Sequence, residues 1–147
     1  MNIKTKFLGS VEIKEEDIIK FEEGIPGFEG AKKFIILPLE KESPFAILQS
    51  IEQVEVGFVV AFPFLFKKNY AFDLPKSDKV SLKAEVESDI VTYSIVTLKD
   101  PFDSSTLNLL APVLINIKEK IGKQIVLQEN GEYALRHPIG TLEGSAK

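Results

Sequence analysis

Apolar and polar residues alternate with period two through much of this chain, and the longest such stretch runs from Ser104 to Leu127. Leu107, Leu109, Ala111, Val113, Ile115 and Ile117 are apolar, with Thr106, Asn108, Leu110, Pro112, Leu114 and Asn116 between them. One unbroken apolar face at this period marks a strand with one side in a core. Leu110, Val113, Leu114 and Ile117 also satisfy helical spacing, but Pro112 opposes a helix. Inside one it removes a donor and clashes with the preceding turn, at a cost of about 3 kcal/mol. Strands accept proline at an edge, an end or a bulge. The pattern predicts two short strands meeting at a kink near Ala111 and Pro112. A turn over Lys118 to Lys123 follows, then a return strand over Gln124 to Gln128.

Shorter alternations fill the rest of the chain. Ile3, Thr5 and Phe7 alternate with lysines, Gly9-Ser10 interrupts them, and Val11 and Ile13 resume the pattern. Glu15, Glu16 and Asp17 form an acidic corner before a short strand carrying Ile18, Ile19 and Phe21. In Gly24-Ile25-Pro26-Gly27, proline fixes its own φ and Gly27 supplies the positive φ that a type II turn requires next. Phe28 is expected to anchor this loop in the core, and Glu29 to Lys33 to make one helical turn. Phe34 to Leu37 reads as a buried strand and Leu39 to Pro44 as a charged loop. Phe45 to Ile51 reads as a strand with Phe45, Ile47 and Gln49 on one face and Ala46, Leu48 and Ser50 on the other. Gly57 to Phe62 is almost wholly apolar, which predicts cover on both faces, and Pro63 ends it. Phe64, Phe66 and Tyr70 share a loop with Lys67 and Lys68, and Leu74 to Asp78 leads into a short helix.

Glu85 to Asp89 makes an acidic turn before Ile90 to Leu98, whose β-branched residues favour a strand. Asp100 to Ser104 is a loop. Asn130-Gly131 is a hairpin signal, and Tyr133, Leu135 and His137 continue the last strand. Many short strands with little helix predict an all-β, mainly antiparallel fold. The expected form is a small single-domain barrel or sandwich over residues 1–140, with one or two short helical turns and a flexible tail over 141–147.

Composition narrows the class. A chain of 147 residues favours one domain, which at that size buries roughly 68–70% of the surface exposed when unfolded. With 44% hydrophobic and 27% charged residues it reads as globular. It contains no cysteine, so disulfides and thiolate metal sites are excluded. MNIKTKFLG lacks the apolar run of a secretion signal, and the apolar stretches fall short of the roughly 20 residues a membrane helix needs. The expected location is cytoplasmic. A formal net charge of −4 disfavours direct nucleic-acid binding and favours a basic protein partner.

Candidate chemistry is sparse. The single histidine, His137, has no cysteine and no second histidine to complete a metal site or a nucleophile–base pair. Ser104, Ser105 and Thr106 lie outside any Gly-x-Ser-x-Gly elbow. Gly24, Gly27 and Gly30, with Pro26 among them, do not form a phosphate loop. Glu15-Glu16 and Glu22-Glu23 are adjacent carboxylates in a charged region, not a pair whose pKa values are driven apart by burial. The chain reads as non-enzymatic, with no cofactor and no small-molecule substrate. Asn108 and Asn116 stand out, because asparagine is disfavoured in strands. They either cap unpaired backbone around Pro112 or recognise a partner's main chain beside it. Glu15, Glu16, Glu22 and Glu23 are either a solvated face or a steering surface for a basic partner. The loop around Phe28 is either a rigid turn or partner-facing.

Thr106, Asn108, Leu109, Ala111, Pro112, Ile115, Asn116, Gln124 and Leu127, with the Gly24–Glu29 run GIPGFE and Leu48-Gln49-Ser50, resemble the FliW family of flagellar assembly factors in order and spacing. The resemblance implies a partner-switching protein that binds flagellin and antagonises the translational regulator CsrA. When flagellin is exported, the freed factor binds CsrA, which then releases the flagellin message. The family needs no cofactor and does not itself bind RNA. Flagellin's unassembled termini are apolar, which implies an apolar groove or strand edge as their site. The rival readings are a small-ligand-binding barrel, which requires an empty interior, and a nucleic-acid-binding barrel, which requires aromatics interleaved with lysines on one exposed face.

Overall fold

The structure, a computed structural model, describes residues 1–39, 43–68, 70–100, 104–127, 134 and 136–139. Its strands are β1 (Asn2–Lys4), β2 (Ser10–Glu12), β3 (Ile19–Lys20), β4 (Lys33–Pro38), β5 (Phe45–Ser50) and β6 (Gly57–Ala61). They continue with β7 (Ile90–Thr97), β8 (Thr106–Leu107), β9 (Val113–Asn116), β10 (Ile121–Gln124) and β11 (His137–Pro138). One short helix, α1, covers Lys76–Ser81, and single 3-10 turns cover Glu15–Asp17, Pro63–Leu65 and Glu87–Asp89. The sheet runs β7-β6-β5-β4-β3-β10-β9, and β9 pairs back onto β7, closing a barrel of seven strands. Neighbours in the ring are antiparallel except β3 and β10, which run parallel. The β1–β2 hairpin is a separate two-stranded sheet, and β8 with β11 extends the far end of β7.

All seven barrel strands close around one core. Phe21, Phe34, Leu48, Val60, Val113 and Ile115 are buried there, with Phe58, Tyr93 and Ile95 packed against them. Phe21 and Phe34 meet edge to face, with centroids 5.1 Å apart. Gly122 on β10 is required by this packing, because a Cβ there would collide with the Phe21 ring. A second cluster, including Ile47, Val59, Phe66, Tyr70, Leu107 and Leu109, covers β5 and β6 from the other side. The split on β5 follows the predicted alternation, with Ala46 and Leu48 in one cluster and Ile47 with Phe45 in the other. β6 is covered on both faces, as its sequence requires, and Pro63 ends it in a 3-10 turn.

The predicted kinked strand is present: β8 and β9 are its two pieces, and residues 108–112 turn between them. The structure corrects its faces. All four residues of β9 are buried, because Leu82 and Ile125 cover Leu114 from outside. Ile117, expected on the apolar face, is exposed. The return strand begins at Ile121 instead of Gln124, since residues 117–120 suffice for the turn. Lys120 adopts φ 56° to close it, and its N–H bonds to Asn116 O at 2.9 Å. Residues 29–33 form a turn running into β4, not a helical turn. The first strand stops at Lys4, leaving Phe7 exposed. His137 lies on β11 as expected, whereas the predicted Asn130-Gly131 hairpin, Tyr133, Leu135, Gly140 and the 141–147 tail fall outside the described residues.

Candidate protein-interaction surface

The conspicuous polar side chains serve the chain's own backbone. Asn108 Oδ1 accepts from the N–H groups of Leu110 and Ala111 at 3.1 and 2.9 Å, holding the turn that leads into Pro112. Asn116 is 1% exposed. Its Nδ2 donates to Leu82 O and Lys83 O, and its Oδ1 accepts from the N–H groups of Lys118 and Glu119. Asn116 thus ties β9 to the segment after α1 and shapes the β9–β10 turn. Pro112 is itself buried, and its carbonyl accepts from Ile125 N–H. Gln49 works in the same way: Nε2 donates to Ser50 O and Val54 O, while Oε1 accepts from Lys6 N–H and pins the N-terminal hairpin to the barrel. Gln49 had no assigned role in the sequence; its signal was an amide between Ile47 and Ile51 in the strand alternation.

The Gly24–Glu29 loop is a rigid turn. Phe28 N–H bonds to Ile25 O at 2.6 Å, and Gly27 has φ 89°, the geometry of a type II turn. Glu29 Oε2 accepts from Gly27 N–H, and that bond holds the Glu29 carboxyl below its usual pKa. Phe28 is not the anchor: it is 43% exposed and Ile25 is buried in its place. The Phe28 ring stands edge to face on Phe58, with centroids 5.3 Å apart.

The acidic residues do not form one face. Glu12, Glu15 and Asp17 line a groove of about 740 Å³ with Lys14 and Lys120, floored by Ile19, Ile36, Tyr93 and Ile115. Asp17 lies 3.8 Å from Lys120. Glu16 is exposed on the same 3-10 turn. Tyr93, half-buried in the groove floor, has its hydroxyl pKa raised by burial. Glu22 and Glu23 border a different, smaller recess beside Gly122 and Lys123. Glu23 lies 3.5 Å from Lys123 Nζ, which also meets Asp78 of α1 at 2.7 Å. That contact with Asp78 is the main reason the Lys123 ammonium is held above its ordinary pKa, and the charges of Asp78 and Glu23 add to it.

Phe7, Phe28, Phe62 and Phe64 are among the exposed large apolar side chains. Phe62 and Phe64 are 39% and 44% exposed. Phe62 stacks on Tyr93 at 5.1 Å. With Phe72, Leu74 and Leu114 they line a groove of about 460 Å³ that opens beside Ile90, Val91 and Thr92 of β7. A smaller groove lies at the other end of β7, lined by Phe7, Phe28, Phe58, Val96 and Leu98. Among the described residues no group of three or more His, Asp or Glu side chains is placed to hold a metal. Nor is any helix there long and apolar enough to cross a membrane.

A family model described as FliW protein matches residues 2–139. The flagellar assembly factor FliW of Bacillus subtilis is 47% identical over 140 residues, covering 95% of this chain and 97% of that protein. The flagellar assembly factor FliW of Clostridium novyi is 45% identical over 139 residues, covering 95% and 96%. A crystal structure of the flagellar assembly factor FliW matches this fold with a TM-score of 0.88 and 40% identity, over 97% of this chain and 99% of that one.

Proposed function

Because this chain belongs to the FliW family of flagellar assembly factors, we propose that it acts in the cytoplasm by binding flagellin and, when flagellin is exported, by binding CsrA and relieving its block on flagellin translation. The observation that carries this reading is a filled barrel with its apolar surplus on the outside. Phe21, Phe34, Leu48 and Val60 occupy the interior, which disfavours the small-ligand barrel. Phe62 and Phe64 stand exposed beside a groove, as a protein-docking surface requires.

The acidic 3-10 turn at Glu15–Asp17, with Glu12 beside it, supports a separate contact for a basic partner. CsrA binds RNA and so carries a basic surface. Carboxylates docked beside it would repel phosphates without filling the RNA site. Glu22 and Glu23 lie apart, and Glu23 is engaged by Lys123, so their share in this contact is smaller.

Titration of the purified chain with monomeric flagellin and with CsrA tests the proposal. Binding of both is the expected result, and binding of neither overturns it. The CsrA contact is expected to weaken as salt rises. Glu15→Gln with Glu16→Gln is expected to reduce it more than Glu22→Gln with Glu23→Gln. An affinity for CsrA indifferent to salt and to both pairs removes the electrostatic part.

A further inference from the structure

Residues 1–13 form a unit of their own on the outside of the barrel. β1 and β2 pair with each other, and neither pairs with a barrel strand. Their ladder is continued by Ile13 N–H bonding to Met1 O at one end and Thr5 N–H bonding to Gly9 O at the other. Ile3, Thr5 and Ile13 are buried, whereas Asn2, Lys4, Ser10 and Glu12 between them are exposed. The buried face packs on Ile35 of β4, with Val11, Ile18, Leu37 and Ile51 around it. Ile35 pairs with Gln49 and Gln49 with Gly57, so these three form one row on the outer face of β4, β5 and β6. The base of the hairpin lies over Ile35, and its tip reaches Gln49 and Gly57.

One hydrogen bond fastens the tip. Gln49 is wholly buried, and its Nε2 donates to Ser50 O, Val54 O and Val56 O. Those bonds fix the amide so that Oε1 accepts from Lys6 N–H at 3.0 Å. Among the described residues this is the only hydrogen bond between residues 1–13 and the rest of the chain, and no ion pair joins them. Gly57 leaves room for it: a Cβ there would stand 2.7 Å from Gln49 Oε1 and 3.3 Å from Lys6 Cβ. A small apolar cluster and one hydrogen bond are fewer contacts than the five-pair ladders on both sides of β5. Elements held by few contacts open at low free energy. A two-stranded hairpin alone is marginal in water, so leaving the barrel also unpairs β1 from β2.

We infer that this hairpin is a flap latched by Gln49, and that its release dismantles one wall of the acidic groove. Met1, Glu12 and Ile13 of the flap line that groove beside Glu15 and Asp17. Opening therefore withdraws a carboxylate and apolar lining from it. The inference rests on the reading of that groove as the contact for CsrA and names what regulates it. Gln49 acts as a positioning residue, since it touches the hairpin and is absent from the groove lining.

The chain contains no cysteine, so Lys6→Cys with Gly57→Cys introduces a single pair. Their Cβ atoms start 3.3 Å apart, near the roughly 3.8 Å of a disulfide. In the reduced form the new Cβ at position 57 displaces Gln49 Oε1 and breaks the latch. In the oxidised form the disulfide replaces it. Native-state amide exchange is followed for wild type and both forms, and each is titrated with CsrA. In wild type the Thr5 and Ile13 amides are expected to exchange together, roughly tenfold or more faster than those of Ile47 and Leu48. The reduced form should quicken them by roughly tenfold again and weaken CsrA binding, and oxidation should reverse both. Thr5 and Ile13 amides as slow in wild type as those of β5, or one CsrA affinity for both forms, overturns the inference. Protection lost equally at Ile47 and Leu48 in the reduced form also overturns it, because the hairpin would then open only with the barrel. A wild-type chain that does not bind CsrA removes the reading of the groove, and the exchange rates still decide whether the flap opens by itself.

Discussion

At Asn116 every hydrogen-bonding position of the amide is taken inside the chain, and the residue is buried. Asn116→Ala leaves two carbonyls and two N–H groups without that partner. The expected loss is about 1–3 kcal/mol in urea unfolding, the cost of stranding buried polar groups. A variant as stable as wild type would mean that water replaces the amide without cost. Ser94 presents the opposite case. Its Oγ is buried and has no hydrogen-bond partner among the described residues. Ser94→Ala removes a desolvated hydroxyl at almost constant volume and is expected to stabilise the fold by about 1 kcal/mol. The two substitutions, on paired strands of one barrel, therefore move the urea midpoint in opposite directions. Neither residue's burial was legible in the sequence, because the alternation placed Asn116 on the less apolar face and does not reveal that a second layer covers β9.

The elements show where sequence pattern suffices and where it fails. β7, β6 and the broken β8–β9 strand were legible because β-branched runs and prolines act locally. The type II turn at Ile25–Phe28 was legible for the same reason. What was not legible depends on contacts distant in sequence. Phe28 and Ile25 sit three apart in one loop, and hydropathy alone does not say which of them enters the core. The scatter of the acidic residues over two recesses depends likewise on how the loops meet.

The attachment of α1 to the barrel is such a distant contact, and it carries a pH signature. Lys123 on β10 joins Asp78 of α1 to Glu23. Its folded pKa lies above the ordinary 10.5, chiefly through the hydrogen bond to Asp78. A raised lysine pKa means stability that is fully present below the unfolded value and lost as pH rises through the folded one. The difference in urea midpoint between wild type and Lys123→Met is expected to hold steady between about pH 7 and 9. It should shrink above about pH 10.5. A difference that persists undiminished at higher pH would show that Lys123 acts by packing and not by charge.

On the scale of the whole molecule, the ring of strands is stitched unevenly. The β4–β5 and β5–β6 ladders have five pairs each, whereas β3–β10 has one, β3–β4 has two, and so has the β6–β7 seam. Grooves lie at both ends of that short seam, one against Ile90–Thr92 and one against Val96–Leu98. Local opening free energy falls where few main-chain bonds and few buried contacts must be broken together. The β6–β7 seam should therefore open before the ladders of β5, as should the seams on either side of β3. Amides of Ser94 and Ala61 are expected to exchange faster than those of Ile47 and Leu48, whose strand is flanked by full ladders on both sides. The gap should widen in low urea, where sub-global opening is favoured over complete unfolding. Exchange at the seam equal to that at β5 would mean that the Phe62–Tyr93 stack and the core packing hold β6 to β7 as firmly as a full ladder.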